Sequence, residues 1–286
     1  MRTVTTVAEL RACVEGWRAH GERVALVPTM GALHQGHMML VARGRELAER
    51  SIVSLFVNPR QFAPGEDFAA YPRSLESDSS KLAEAEVDLL YAPAPDQIYP
   101  EGFATAVSVR GPAEGLEGDV RPGFFIGVAT VVAKLLAQAM PDVAMFGEKD
   151  YQQLVVVKRL VRDLDLRARI VGVPTVREED GLACSSRNAY LDADQREVAP
   201  RLFRVLSATA ERLGAGHDSA EELATANREL AAAFDRVDYV ALRDAESMSA
   251  DVTPGRTGRL LAAAVLGTTR LIDNVPVAPH GAEETP

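Results

Sequence analysis

The amino-acid order predicts an α/β protein, a doubly wound parallel sheet followed by a smaller α+β domain. Two observations predict it. Short β-branched runs alternate with longer stretches of helical periodicity up to about residue 175, and beyond that point the texture changes to Ala/Glu/Arg-rich helices followed by strand-like segments. Taken in order, the first run is "VALVP" at 24–28, followed by the helical "GHMMLVARGRELAER". "SIVSLFV" at 51–57 precedes "SLESDSSKLAEAE", and "VDLLYA" at 87–92 closes the first half. The stretch 93–126 breaks the alternation and is rich in Pro and Gly, a length that marks a functional excursion rather than a simple connection. "GVATVVAKLLAQAM", "DVAMFG" at 142–147, "DYQQLVVVKRLVRDL" and "RIVGVPT" at 169–175 resume the pattern. Strand–helix–strand order implies parallel pairing, and in such sheets ligands gather at the carboxyl ends of the strands.

The boundary is placed at residue 175, giving domains 1–175 and 176–286. The second opens with helices at about 192–213 and 218–234, the first broken or kinked at Pro200. "VDYVALRDA", "RLLAAAVL" and "TRLIDNVPV" read as strands, with Gly267 and Thr268 as the turn of a hairpin. "APHGAEETP" reads as a frayed tail.

Composition narrows the function. With 286 residues, 47% hydrophobic and 25% charged, the chain has the make-up of an ordinary globular protein. No run approaches the roughly 20 apolar residues that span a bilayer, and no secretory leader is recognisable, so a cytoplasmic location is expected with no membrane partner. A net charge of −10 argues against a nucleic-acid partner. Cys13 and Cys184, the two cysteines, form no C-x-x-C pair and suggest neither a disulfide framework nor a zinc site.

Four stretches carry candidate chemistry. In "PTMGALHQGH" a strand ends and a helix begins near Gly36, which gathers backbone N–H groups and the positive end of a helix dipole where a phosphate would fit. His34 and His37, three apart, share a side of that turn and could donate to phosphate oxygens; the plainer reading makes one a helix cap and the other a surface residue. "FVNPRQFAPGEDFAAYPR" brings Asn58, Gln61, Tyr71 and Arg73 to the same sheet edge, suited to a small hydroxy acid, although Asn-Pro and Pro-Gly are also turn signals. In "FGEKDYQQL", Lys149 stands where a helix dipole disfavours a cation unless an anion compensates; an exposed loop lysine between Glu148 and Asp150 is the alternative. "CSSRNAYL" offers Ser185, Ser186 and Arg187 for a triphosphate, or a loop leading into a helix capped by Asp192 or Asp194. No G-x-S-x-G elbow supports a serine nucleophile.

Together these stretches, with "LEGDVRPG", "GVATVVAKL", "VPTVREEDGLACSSRNAYL" and "LGTTRLIDN", resemble the pantothenate synthetase family, the pantoate–β-alanine ligases of the HIGH-type nucleotidyltransferase superfamily. The resemblance covers nearly the whole chain. It implies a Rossmann-like domain with a smaller C-terminal lid, a homodimer, and a reaction in which ATP and pantoate give pantoyl adenylate and pyrophosphate before β-alanine displaces AMP. The product would be pantothenate, a coenzyme A precursor.

Position by position, the resemblance implies that His34 and His37 contact the ATP phosphates, and that Lys149, Ser185, Ser186 and Arg187 hold the triphosphate and stabilise the transition state. Met30 and Gly147 would border the nucleotide, with Asp150 on its ribose side. Gln61 and Gln153 would grip pantoate, with Met30, Phe56, Val128 and Val131 around its gem-dimethyl group. Magnesium would arrive with ATP, and no tightly bound cofactor or all-protein metal site is expected.

One departure stands out. Where the family usually has "RPGHF-x-G", this chain reads "RPGFFIG", so Phe124 replaces a histidine and Ile126 stands where a polar or small residue is common. Arg121, Phe124 and Tyr71 form the candidate amine site, and the change raises a paralogue with another amine or acid as an alternative. A catalytically silent nucleotide-binding homologue is a third reading, opposed by the intact His34, His37, Lys149 and Ser185–Arg187 set. Cys184, where the family often has Met, reads as a packing change.

Overall fold

The computed structural model describes residues 1–63, 65–66, 68–69, 71–72, 74–253 and 255–279; Arg73 of the sequence reading lies outside them. The chain divides into two compact units, Met1–Glu148 with Gln152–Pro174, and Lys149–Tyr151 with Thr175–Pro286.

The first unit is built on six parallel strands in the order β1-β4-β3-β2-β5-β6. They are β1 (Arg2–Val4), β2 (Val24–Thr29), β3 (Arg50–Leu55), β4 (Leu89–Tyr91), β5 (Val143–Gly147) and β6 (Arg169–Val173). β2 through β5 are almost wholly buried, the signature of strands covered on both faces. The covering helices are α1 (Val7–Ala19), α2 (Gln35–Leu47), α3 (Leu75–Glu84), α6 (Phe124–Ala139) and α7 (Tyr151–Asp163), the last belonging to this unit from Gln152 onward. β2 is flanked by β3 on one side and β5 on the other. Connections leave in opposite directions from that pair, so the carboxyl ends of β2 and β5 border the crevice where such sheets bind ligands.

The excursion 93–126 holds two single-turn helices, α4 (Pro95–Ile98) and α5 (Glu117–Val120), ahead of the first turn of α6. Buried amides from the core tie it down. Gln152 accepts from the Glu117 N–H at 3.1 Å and donates to the carbonyls of Pro112 at 3.0 Å and Gly115 at 3.1 Å. Gln138 donates to the carbonyl of Gln97 at 2.9 Å and accepts from the Tyr91 hydroxyl at 3.1 Å. Phe124–Ile126, read from sequence as part of a loop, form instead the first turn of α6, because Gly123 takes φ 86 and lets the chain turn directly into the helix.

The second unit pairs β7 (Arg236–Asp244), β8 (Gly258–Leu266) and β9 (Thr269–Val277) antiparallel in that order. Gly267, at φ 57, makes the two-residue turn between β8 and β9 possible. α8 (Ala193–Val198) stops just before Pro200, and α9 (Arg201–Gly214) and α10 (Ser219–Ala231) follow. Leu202, Leu206, Leu213, Leu230, Phe234, Leu260, Leu271 and Val275 share one apolar core. No helix among the described residues is long and apolar enough to cross a membrane.

Candidate active site

At the end of β2 the chain enters a left-handed pair, Gly31 at φ 89 and Ala32 at φ 52. A non-glycine residue at such a φ persists only when its surroundings over-determine it. Here the determinant is Asp78 on α3, only 1% exposed, whose carboxylate accepts from the N–H groups of Ala32 at 2.9 Å and Leu33 at 2.8 Å. Lys81, one turn later on α3, donates to the Leu33 carbonyl at 2.7 Å. From this platform the chain runs into α2 with His34 as its N-cap.

Both histidines take part in the cap. The Gly36 N–H donates to His34 Nδ1 at 3.1 Å, and the His34 N–H donates to His37 Nδ1 at 3.3 Å. An Nδ1 that accepts places the proton of a neutral ring on Nε2, so each imidazole is set as an Nε2–H donor. The rings lie 4.1 Å apart, tilted by 46°. The first turn of α2 contains no acidic residue, so its positive end is not offset from within. Capping occupies Nδ1 of both rings, so it does not compete with a role for Nε2.

Beside this loop, Asn58 organises a polar cluster while itself only 1% exposed. Its Nδ2 donates to Gln61 Oε1 at 2.9 Å and to the Gly127 carbonyl at 3.2 Å. Its Oδ1 accepts from the Tyr99 hydroxyl at 2.8 Å. Because Asn58 occupies the Gln61 oxygen as an acceptor, the Gln61 NH2 points the other way, toward Met30 Sδ at 3.2 Å. Burial pushes the Tyr99 phenol up to about 12, so it remains a donor. The Phe56 ring, buried, lies 6.1 Å from that of Tyr99. Val128 and Val131, both buried, sit three apart on α6.

Gly127 is what allows this approach. A Cβ there would lie 2.1 Å from the Arg60 carbonyl oxygen and 2.8 Å from the Gln61 nitrogen. Sequence reasoning named Asn58 only as a strand-end polar residue and did not find Asp78, Tyr99 or Gln152. Their partners lie far along the chain, and no local pattern marks them. Gln153 is half-buried, one position beyond Gln152 on α7, and no hydrogen bond links it to Gln61 among the described residues.

Arg121 is engaged with protein. Its Nε and one terminal nitrogen donate to the two oxygens of Glu66, each at 2.7 Å, and that terminal nitrogen also donates to the Gln61 carbonyl at 3.0 Å. The guanidinium stacks over the Phe124 ring at 3.8 Å. A ligand carboxylate arriving at Arg121 would find Nε and one terminal nitrogen already taken by Glu66. Phe124 provides the flat surface beneath Arg121, Ile126 is exposed, and Tyr71 is buried edge-on against Phe62.

In the second unit Lys149 Nζ lies 3.8 Å from the Asp150 carboxylate, and the Lys149 carbonyl accepts from Asn274 at 2.8 Å. Ser185 caps the short helix Ser186–Tyr190 by accepting from the Arg187 N–H at 3.3 Å. Asn188 holds this segment through Glu178 at 3.0 Å and the Ala183 carbonyl at 3.1 Å. Ser186 and Arg187 are half-buried. Burial, then the neighbouring Glu178, pushes the Cys184 thiol up, which keeps it protonated and unreactive. Asp192 caps α8. Among the described residues no three His, Cys, Asp or Glu side chains are grouped so as to hold a metal ion.

Comparison with known proteins meets this geometry. A family model described as pantoate-beta-alanine ligase matches residues 2–276. The chain belongs to that family of enzymes. A curated relative from Paramagnetospirillum magneticum, named pantothenate synthetase, is 58% identical over 96% of this chain and 98% of its own length. The crystal structure of a pantothenate synthetase from Thermus thermophilus superposes with a TM-score of 0.89 at 52% identity, covering 98% of this chain and 100% of that one. A Francisella tularensis pantoate-beta-alanine ligase, solved in complex with beta-gamma ATP and beta-alanine, gives 0.80 at 32% identity over 96% and 97% of the two chains.

The close packing at Gly127 yields a direct test. Gly127→Ala should destabilise the protein by about 3 kcal/mol, the upper end of the usual cost of overpacking, read as a lower urea midpoint with unchanged slope. An unaltered midpoint would show that the Pro59–Gln61 turn is not pressed against α6.

Proposed function

We propose that this chain joins pantoate to β-alanine using magnesium-bound ATP, through a pantoyl adenylate, and releases AMP and pyrophosphate. The observation that carries the reading is the β2–α2 loop. Two imidazoles held as Nε2–H donors stand there at the start of a helix with no acid in its first turn, beside the Gln61–Met30 contact. That combination suits a phosphoester next to a small acid.

In the first step a pantoate carboxylate oxygen attacks the α-phosphorus and the bond to pyrophosphate breaks. Two anions approach, so the repulsion must be offset before the transition state is reached. His34 and His37 donate to phosphate oxygens, and Lys149, Ser185, Ser186 and Arg187 take the triphosphate. Met30 and Gly147 border the nucleotide, and Asp150 serves its ribose. Gln61 donates through its oriented NH2 to pantoate; Gln153 is the second amide, and Phe56, Val128 and Val131 receive the gem-dimethyl group. In the second step the neutral amine of β-alanine attacks the acyl carbon, the bond to AMP breaks and the amine loses a proton. Magnesium enters with ATP. A homodimer in the cytoplasm completes the reading and rests on the family resemblance alone.

The deciding assay is release of AMP and pyrophosphate from ATP in the presence of pantoate and β-alanine, with pantothenate formed in equal amount. Formation of ADP and phosphate instead would overturn the proposed chemistry. Lys149→Ala should lower AMP release at least about a hundredfold, the scale of losing one charge-stabilising group, with an unchanged melting curve; near-normal turnover would remove Lys149 from the mechanism.

Among the described residues other than its chain neighbours, a Cβ on Gly147 meets no atom within 4 Å, so folding does not require glycine there. Gly147→Ala should therefore keep its thermal midpoint while raising the KM for ATP about tenfold, or about 1.4 kcal/mol. An unchanged KM would place the nucleotide elsewhere.

Because Arg121 is already paired with Glu66 and merely rests on the Phe124 ring, Phe124→His should change the KM for β-alanine less than about threefold, or about 0.7 kcal/mol. A large gain in β-alanine use would point instead to a different natural amine.

A further inference from the structure

Lys149, Asp150 and Tyr151 belong to the second unit although the residues on either side of them belong to the first. The contacts holding this short segment form a chain. Asn274 on β9, 2% exposed, donates from Nδ2 to the Lys149 carbonyl at 2.8 Å. Its Oδ1 accepts from Arg259 Nε on β8 at 2.6 Å. The Arg259 guanidinium lies 4.1 Å over the Tyr151 ring, and the Tyr151 hydroxyl donates to the Ala245 carbonyl at 3.1 Å.

Strand register explains how the two side chains meet. Asn274 pairs with Leu261, and Arg259 stands two residues before Leu261, so Arg259 and Asn274 are diagonal neighbours on one face of the sheet. A long side chain spans that diagonal. Since the Asn274 oxygen is bound to a guanidinium, its NH2 is directed at Lys149, and the amide has one consistent orientation.

We propose that Asn274, braced by Arg259 and Tyr151, is a positioning residue for Lys149. It holds the lysine backbone so that the flexible side chain starts from a fixed origin and delivers its ammonium to the charge developing on the transferred phosphoryl group. The inference rests on the role given to Lys149 above. Fixing the backbone in advance removes ordering that the transition state would otherwise require. The effect falls on the rate of adenylation more than on nucleotide binding.

Asn274→Asp is the informative variant. It keeps the size and the oxygen facing Arg259 but replaces the donor to the Lys149 carbonyl with an acceptor, which repels it. Single-turnover pyrophosphate release should slow at least about tenfold, with the KM for ATP within about threefold of wild type. The same substitution in a Lys149→Ala background should cost nothing further, because there is no ammonium left to position. Extended single-turnover sampling with radiolabelled ATP keeps the slow rate of the lysine variant measurable, so the cycle is closed on rates. Tyr151→Phe, which keeps the ring under Arg259 and loses the bond to Ala245, provides a milder second cycle if Asn274→Asp does not fold.

Equal losses with and without Lys149, or a wild-type rate in Asn274→Asp, would overturn the inference and leave the role of Lys149 standing. Full activity in Lys149→Ala alone would instead strike the underlying role, and this inference with it.

Discussion

The buried carboxylate of Asp78 is the constraint on which the candidate site depends. Two successive left-handed residues, one of them an alanine, cost about 1–3 kcal/mol for the alanine alone and would relax if unsupported. Capturing the N–H groups of Ala32 and Leu33 offsets that cost and leaves neither donor unpaired. The direction in which the chain enters α2 follows from this turn. So do the capping geometry of His34, the tautomer of both imidazoles, and the line along which the helix dipole meets the end of β2. Asp78 itself need touch no substrate; it acts through the shape of the backbone.

Amide side chains repeat this logic elsewhere. Asn58 orients Gln61 by occupying its oxygen, Gln152 gathers the carbonyls of the 112–117 segment, and Asn274 holds the carbonyl of Lys149. Each is nearly inaccessible to water and is bonded through both ends of its amide. A buried amide satisfied in this way is costly to rotate, which makes it a rigid mount for a neighbouring functional group. The ion pair of Arg121 with Glu66 acts similarly on the Gln61 carbonyl, and the Phe124 ring extends that mount. These groups fix the backbone and side-chain directions of their neighbours. The start of α2, with no acid in its first turn, offers N–H donors within a chain of net charge −10.

Much of the architecture was legible in the sequence, because continuous apolar runs and helical periodicity report burial directly. The five runs beginning at Val24, Ser51, Val87, Asp142 and Arg169 each overlap a strand of the parallel sheet, and the Gly267 turn joins the last two strands of the second unit. β1 was not found, since three residues with only Val4 buried have no period to detect. α1 was missed although its capping box, Thr6 and Glu9, stands in the sequence as "TVAE". The start of α6 escaped because a left-handed Gly123 lets the helix begin three residues before the apolar run at Gly127. The side chains that mount the site were the least legible. Asn58 meets Gly127 across 69 positions, and Asn274 meets Lys149 across 125. Pairings of that range belong to the folded chain and have no counterpart in local spacing.

The central claim is that the acid is activated by forming a bond from its own carboxylate oxygen to the α-phosphorus of ATP. Its most direct test uses pantoate carrying heavy oxygen in both carboxylate positions, with mass analysis of the products. The account predicts that AMP acquires one heavy oxygen and pantothenate retains the other, because the oxygen that attacks phosphorus leaves with AMP when the amine arrives. Heavy oxygen in inorganic phosphate, or AMP formed without any label, would contradict it.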